Sequence, residues 1–131
     1  MIVFLAEDNP GDILLIKEAF SEADINVDFI IKMNGELATN YVKEIEVNYN
    51  NPPDLIILDL NLPYKNGFEI LAEIKKSDKL KSIPAIIFTS STNIEDKEKA
   101  IELGAAGYFS KPVNYMDYIH TVRNFLSILH E

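Results

Sequence analysis

The stretch Leu55-Ile56-Ile57-Leu58-Asp59 decides the fold: four uninterrupted aliphatic residues followed by a carboxylate. A strand with one face in water alternates apolar and polar residues, whereas a strand covered on both faces reads as a continuous apolar run. Leu55 to Asp59 therefore belongs at the centre of a parallel sheet with helices on both sides. Two more runs share this form. Ile2-Val3-Phe4-Leu5-Ala6 ends on Glu7-Asp8, and Ala85-Ile86-Ile87-Phe88 ends on Thr89-Ser90-Ser91. A fourth, Gly107-Tyr108-Phe109-Ser110, ends on Lys111-Pro112. In a parallel sheet the carboxyl ends of the strands line one edge, and ligands bind in the crevice outside it. Three carboxylates, a hydroxyl and an ammonium are thus expected to share one cleft.

Between these runs the apolar period becomes helical, giving five βα units. In the first helix Asn9 is a cap, Pro10 takes the first helical position, and Asp12 sits where a capping carboxylate helps. Ile13, Ile16 and Phe20 then face one side, and the helix should end near Ala23. Val27 to Met33 reads as the second strand and Glu36 to about Val47 as the second helix. Asn48-Tyr49-Asn50-Asn51-Pro52-Pro53 must be a long, mobile loop. Asn61 to Gly67 forms another loop, before a third helix whose period is given by Phe68, Leu71, Ile74 and Lys75. Pro84 opens the fourth strand. A fourth helix runs from about Asn93 to Leu103, stopped by Gly104-Ala105-Ala106-Gly107. The last helix spans Tyr115 to His130. Its stripe of Tyr115, Tyr118, Ile119, Val122, Phe125, Leu126 and Leu129 is little wider than core packing needs.

A chain of 131 residues fits one domain, and no second or output domain is expected. No apolar run approaches the roughly 18–20 residues of a membrane span, and no secretory leader is visible at Met1, so a cytoplasmic location is expected. The absence of cysteine excludes disulfides, thiolate metal sites and cysteine nucleophiles. A formal charge of −9 argues against nucleic acid as a partner, because phosphate-backbone affinity comes from clustered Lys and Arg.

Taken alone, Glu7-Asp8 also fits a polar turn before a helix, Ser90 or Ser91 a helix cap, and Lys111-Pro112 an ordinary turn. Asp59 changes this balance. With strand order 2-1-3-4-5 the first and third strands are neighbours, so Glu7, Asp8 and Asp59 crowd together. Their repulsion raises at least one pKa unless a cation sits among them, and an all-oxygen donor set suits Mg²⁺ rather than zinc. A hydroxyl at Thr89 and an ammonium at Lys111 are what phosphoryl transfer requires, since that chemistry is mostly positioning and charge neutralisation.

Together the acidic pair Glu7-Asp8, the block Asp59-Leu60-Asn61-Leu62-Pro63 with Gly67 after it, Thr89, and Gly104-Ala105-Ala106-Gly107-Tyr108-Phe109-Ser110-Lys111-Pro112 resemble the response-regulator receiver family. The resemblance covers the chain from Ile2 to the last helix. It implies a CheY-like, flavodoxin-like α/β fold: a doubly wound (βα)5 unit with a five-stranded parallel sheet. It also implies that Asp59 accepts a phosphoryl group from a histidine kinase. Asp8, Asp59 and the carbonyl of Asn61 would hold Mg²⁺, with Glu7 on a metal water, and Thr89 and Lys111 would contact the phosphoryl oxygens. Thr89 and Tyr108 would form the switch to the face of the fourth helix, fifth strand and fifth helix. The long interval between Asp8 and Asp59 is similar to that of small stand-alone regulators serving phytochrome-type kinases. Without an output domain, the signal would pass to a downstream protein not named by the sequence, or through a homodimer.

Three other protein classes share parts of this pattern. Magnesium-dependent phosphatases with an aspartyl nucleophile carry a second aspartate two positions on, where this chain has Asn61. A flavodoxin-like cofactor binder needs a phosphate loop after the first strand, where Glu7-Asp8 would repel phosphate. A receiver-like scaffold that is never phosphorylated would have no need for the whole residue set. The expectation is therefore a signalling protein and not a turnover enzyme, catalysing only its own phosphorylation and dephosphorylation.

Overall fold

The computed structural model describes residues 1–48 and 51–129. Five strands alternate with five helices: β1 (Ile2–Ala6), α1 (Pro10–Glu22), β2 (Asp28–Lys32), α2 (Gly35–Val47), β3 (Leu55–Leu58), α3 (Gly67–Lys76), β4 (Ala85–Thr89), α4 (Ile94–Glu102), β5 (Gly107–Ser110) and α5 (Tyr115–Leu129). The strands form one sheet in the order β2-β1-β3-β4-β5, every pair parallel.

The continuous apolar runs divide strictly between the two faces, as the two-residue period of a strand requires. Phe4, Ala6, Ile56, Leu58, Ala85 and Ile87 pack with buried residues of α2, α3 and α4, including Ala38, Val42, Ile70, Leu71 and Ala100. Val3, Leu5, Leu55, Ile57, Ile86 and Phe88 pack with Ile16 and Phe20 of α1 and with Tyr118, Val122 and Phe125 of α5. Burying a Leu, Ile or Phe side chain contributes about 1.5–3 kcal/mol, so these double-sided strands carry much of the fold's stability. No helix among the described residues is long and apolar enough to cross a membrane.

Three details differ from the sequence expectations. The second strand is Asp28–Lys32, one residue shorter at each end than Val27 to Met33, and as an edge strand it is only partly covered. The second helix starts at Gly35, because the Asn34 side chain accepts from the Leu37 N–H at 2.8 Å and so closes the first turn one residue early. Neither Ser90 nor Ser91 caps the fourth helix; Asn93 does, accepting from the Glu95 N–H at 2.9 Å. Within the expected 48–53 loop, Tyr49 and Asn50 lie outside the described residues, as does His130 at the expected end of the last helix.

One more ladder bond follows β1, β3 and β5 at the carboxyl edge. The Glu7 N–H donates to Lys32 O at 3.1 Å, Asp59 N–H to Ala6 O at 3.0 Å, and Lys111 N–H to Thr89 O at 2.7 Å. These bonds extend the sheet's register past the apolar runs, so the polar residues are held by the sheet and not by free loops. The 59–67 loop is pinned twice more: the Gly67 N–H donates to Leu60 O at 3.2 Å and the Gly35 N–H to Pro63 O at 2.9 Å. A Cβ at Gly67 would overlap the Asp59 carbonyl oxygen, and one at Gly35 the Lys65 carbonyl oxygen, so both close approaches require glycine.

Among the described residues, the hydroxyl of Tyr41 is the buried side-chain polar atom that lacks a hydrogen-bond partner. Its ring packs on Phe4 with centroids 4.6 Å apart, and burial and the Glu44 charge push its pKa up. Leaving a buried hydroxyl unsatisfied costs about 1–3 kcal/mol. Tyr41→Phe should therefore be at least as stable as the parent in urea unfolding, by about 0–2 kcal/mol; a clear loss would show that the hydroxyl has a partner.

Candidate functional site

The carboxyl edge brings the sequence-predicted residues together. Glu7, Asp8 and Asp59 each offer a carboxylate oxygen, and the three atoms lie within 4.8 Å of one another. Glu7 and Asp59 are buried and Asp8 is half-buried. These hard oxygen donors fit a divalent cation such as Mg²⁺ or Mn²⁺, which takes carboxylate and carbonyl oxygens in preference to softer ligands. Asn61 sits exposed at the rim, and its N–H donates to Asp59 Oδ1 at 3.3 Å.

Lys111 closes the cluster from β5. Its Nζ lies 2.8 Å from Glu7 Oε2, 2.9 Å from Asp59 Oδ2 and 2.9 Å from Asp12 Oδ2, with the lysine side chain only 9% exposed. An ammonium has three N–H donors, and each one here meets a different carboxylate. Thr89 is fully buried at the end of β4, where its hydroxyl helps to lower the Asp59 pKa, and it accepts from the Ser91 N–H at 3.4 Å.

The electrostatics follow from this crowding. Burial pushes the Glu7 carboxyl up to about 7; the Lys111 hydrogen bond opposes this, and the Asp59 charge adds to it. For Asp59 burial also acts upward, but the Lys111 ammonium, the Asn61 N–H and the Thr89 hydroxyl outweigh it and hold the carboxyl below the usual range. Burial disfavours the charged ammonium of Lys111, yet its three carboxylate partners leave its pKa raised. One carboxyl of the group is thus raised, mainly by burial with the Asp59 charge adding to it, while Asp59 is held below the usual range.

Asp12 corrects the sequence reading. The sequence assigned it to helix capping, but its side chain turns instead to Lys111 and lies 3.4 Å from the Tyr118 hydroxyl. Tyr118, read only as part of the core stripe of α5, brings that hydroxyl to the rim of the site while its ring stays buried against Phe88.

Tyr108 lies on β5, partly buried against the core on the α2, α3 and α4 side, and its hydroxyl donates to the Ser91 carbonyl at 3.1 Å. Ser91 Oγ is in turn 2.8 Å from Asp96 of α4. The 89–91 segment therefore links Asp59 to both Tyr108 and α4. A separate cavity of about 400 Å³ lies around the connection from α1 to β2, lined by Lys17, Phe20, Ser21, Ile25, Asn26, Val27 and Phe29; it contains none of these site residues.

Comparison with known proteins identifies the family and the fold. Residues 3–123 match the family model described as the response regulator receiver domain. Response regulator Rcp1 of Synechocystis sp. is 36% identical over 127 residues, covering 96% of this chain and 86% of Rcp1. The crystal structure of the phosphorylated cyanobacterial phytochrome response regulator RcpA superposes with a TM-score of 0.85 at 36% identity, covering 96% of this chain and 94% of that one. The Mn²⁺-bound form of Rcp1 gives 0.83 at 35% identity, covering 96% and 91%.

Proposed function

The chain belongs to the response regulator receiver family of two-component signalling, and from that premise we propose that Asp59 accepts a phosphoryl group from a histidine kinase and relays the event through the α4, β5 and α5 face. The observation that carries this reading is the convergence of an ionised, buried Asp59 with Lys111 and Thr89 beside the oxygen cluster of Glu7 and Asp8. An Asp59 carboxylate oxygen forms the new P–O bond as the P–N bond to the kinase histidine breaks, leaving its electron pair on the imidazole. Lys111 and Thr89 contact the phosphoryl oxygens. A divalent cation, Mg²⁺ in the cell, supplies charge neutralisation when bound. Asp8, Asp59 and the Asn61 carbonyl would hold it, with Glu7 on one of its waters. Chemistry is confined to the protein's own phosphorylation and dephosphorylation.

The phosphorylated RcpA and the Mn²⁺-bound Rcp1 support the phosphoryl and metal parts of this reading, and RcpA's phytochrome association supports a phytochrome-type kinase as partner. Output runs from Thr89 through Ser91 to Tyr108. A shift of the 89–91 segment toward a phosphoryl group breaks or remakes the Tyr108 contact and repositions α4, where Ile94 and Ile101 are exposed to a downstream partner or to a second copy. Incubation with a radiolabelled phytochrome-type histidine kinase should move the label to this chain, and retention of the label on every such kinase would overturn the assignment of partner.

The metal assignment has its own test. Asp8→Ala removes one of the clustered carboxylates and should weaken Mg²⁺ binding at least about ten-fold by titration, while the fold is retained. An unchanged titration would remove Asp8 from the metal site.

A further inference from the structure

We propose that Asp12 is a positioning residue for this site: braced by the Tyr118 hydroxyl, its carboxylate holds the Lys111 ammonium beside Asp59. The proposal rests on the reading of Asp59 as phosphoacceptor and adds to it a residue from α1 and an anchor from α5.

Two helix starts in this chain make the case by contrast. Both α1 and α3 begin with an asparagine cap and carry an acid three residues later. In α3 the box closes: Asn66 Oδ1 accepts from the Glu69 N–H at 3.0 Å, and Glu69 Oε1 accepts from the Asn66 N–H at 3.4 Å. In α1 it closes on one side only. Asn9 Oδ1 accepts from the Asp12 N–H at 3.1 Å, but the Asn9 N–H is already committed to Glu7 Oε1 at 3.1 Å. The Asp12 carboxylate is thereby left out of the cap, and it lies instead 2.9 Å from Lys111 Nζ and 3.4 Å from the Tyr118 hydroxyl.

The consequence lies in how the ammonium's three donors are shared. Lys111 meets Glu7, Asp59 and Asp12. In a phosphorylated, cation-loaded site Glu7 would serve a metal water and one Asp59 oxygen would be esterified, so those two contacts would be remade. Asp12 is neither an acceptor of phosphoryl nor a member of the Glu7, Asp8 and Asp59 cluster. Its contact alone can persist through the reaction and keep Nζ where a phosphoryl oxygen will arrive. Misplacing such a group lowers a rate even when every reacting atom is present.

The sign of the effect separates this role from a bystander charge. Neutralising a mere neighbouring carboxylate would lessen repulsion of an anionic phosphodonor and speed labelling; releasing the anchor slows it. With the full chain, acetyl phosphate and saturating Mg²⁺, Asp12→Asn should be labelled about ten-fold more slowly than the parent, with Mg²⁺ affinity changed less than about two-fold. Asp12→Glu should recover at least half of the parent rate. In ¹⁵N spectra the Lys111 ammonium should be protected from solvent exchange in the parent and lose that protection in Asp12→Asn. Tyr118→Phe leaves the helix start intact and should slow labelling about three-fold; no slowing there would overturn the part assigned to Tyr118. Parental or faster labelling of Asp12→Asn would overturn the positioning role. A parent that takes no label would overturn the phosphoacceptor reading itself, and this proposal with it.

Discussion

Asp59→Asn takes up essentially no phosphoryl group under conditions that label the parent fully, a loss of at least about 100-fold, and it folds as well as the parent. An amide is nearly the same shape as a carboxylate, so it can still accept from the Asn61 N–H. It has no anionic oxygen with which to attack phosphorus. Its effect on stability follows from the charge balance. Glu7, Asp12 and Asp59 share the Lys111 ammonium, Asp8 lies beside Glu7 and Asp59, and the Asp59 charge is among the causes that raise Glu7. Neutralising Asp59 relieves that repulsion, while Lys111 keeps Glu7 and Asp12. The lost Lys111 pairing acts the other way, because the lowered Asp59 pKa shows that the fold favours its charged form, so urea unfolding should place the variant below the parent by no more than about 1 kcal/mol. A variant that still labels would move the nucleophile elsewhere.

Lys111→Ala has the largest expected effect on stability. It leaves Glu7 and Asp59, with side chains 1% and 6% exposed, without their shared counter-charge. Removing one partner of a buried ion pair costs about 3–5 kcal/mol. The lower end is expected here, because Glu7, already pushed up to about 7, can take a proton and relieve part of the strain. The pH dependence has a definite sign. The folded pKa of Asp59 lies below its ordinary 3.8, so its pairing stabilises the protein above that pH, and this contribution is lost as pH falls through the folded value. The gap between parent and Lys111→Ala, measured by urea unfolding, should be about 3 kcal/mol at pH 7 and should close below about pH 3.8. A pH-independent gap would mean that Lys111 acts by packing its aliphatic stem.

Most of the fold was legible in the sequence because its signals were redundant. Ile56 and Ile57 face opposite helical layers, so a strand buried on both sides could read only as an unbroken run, and the polar residue after each run marked the site edge. Boundaries were less legible where one contact decides them. Nothing in the Asn34-Gly35-Glu36 stretch reveals that Asn34 caps first and admits Gly35 to the helix. Likewise, Ser91 and Asn93 are both competent caps, and the choice falls to Asn93 because Ser91 Oγ lies 2.8 Å from Asp96.

The candidate site was legible to the extent that strand ends supply it. Glu7, Asp8, Asp59, Thr89 and Lys111 all follow or end apolar runs. Asp12 does not: it lies inside a helix, where an acid at the third position is as well explained by capping. Its role depends on a bond three residues back, the one by which the Asn9 N–H reaches Glu7 and leaves the Asp12 carboxylate unengaged by the cap. The hydroxyl of Tyr118 was hidden in the same way, since its ring alone accounts for its place in the α5 stripe. An asparagine cap, an acid three residues on, and a strand-end acid just before the cap together form the signal that could have pointed to Asp12.

The most direct test of Asp59 as the phosphoacceptor is mass spectrometry of the intact wild-type chain after incubation with acetyl phosphate, with and without Mg²⁺, followed by peptide mapping. The expected result is a single phosphoryl increment that requires Mg²⁺ and maps to the peptide containing Asp59. No increment, or one on a peptide that lacks Asp59, would contradict it.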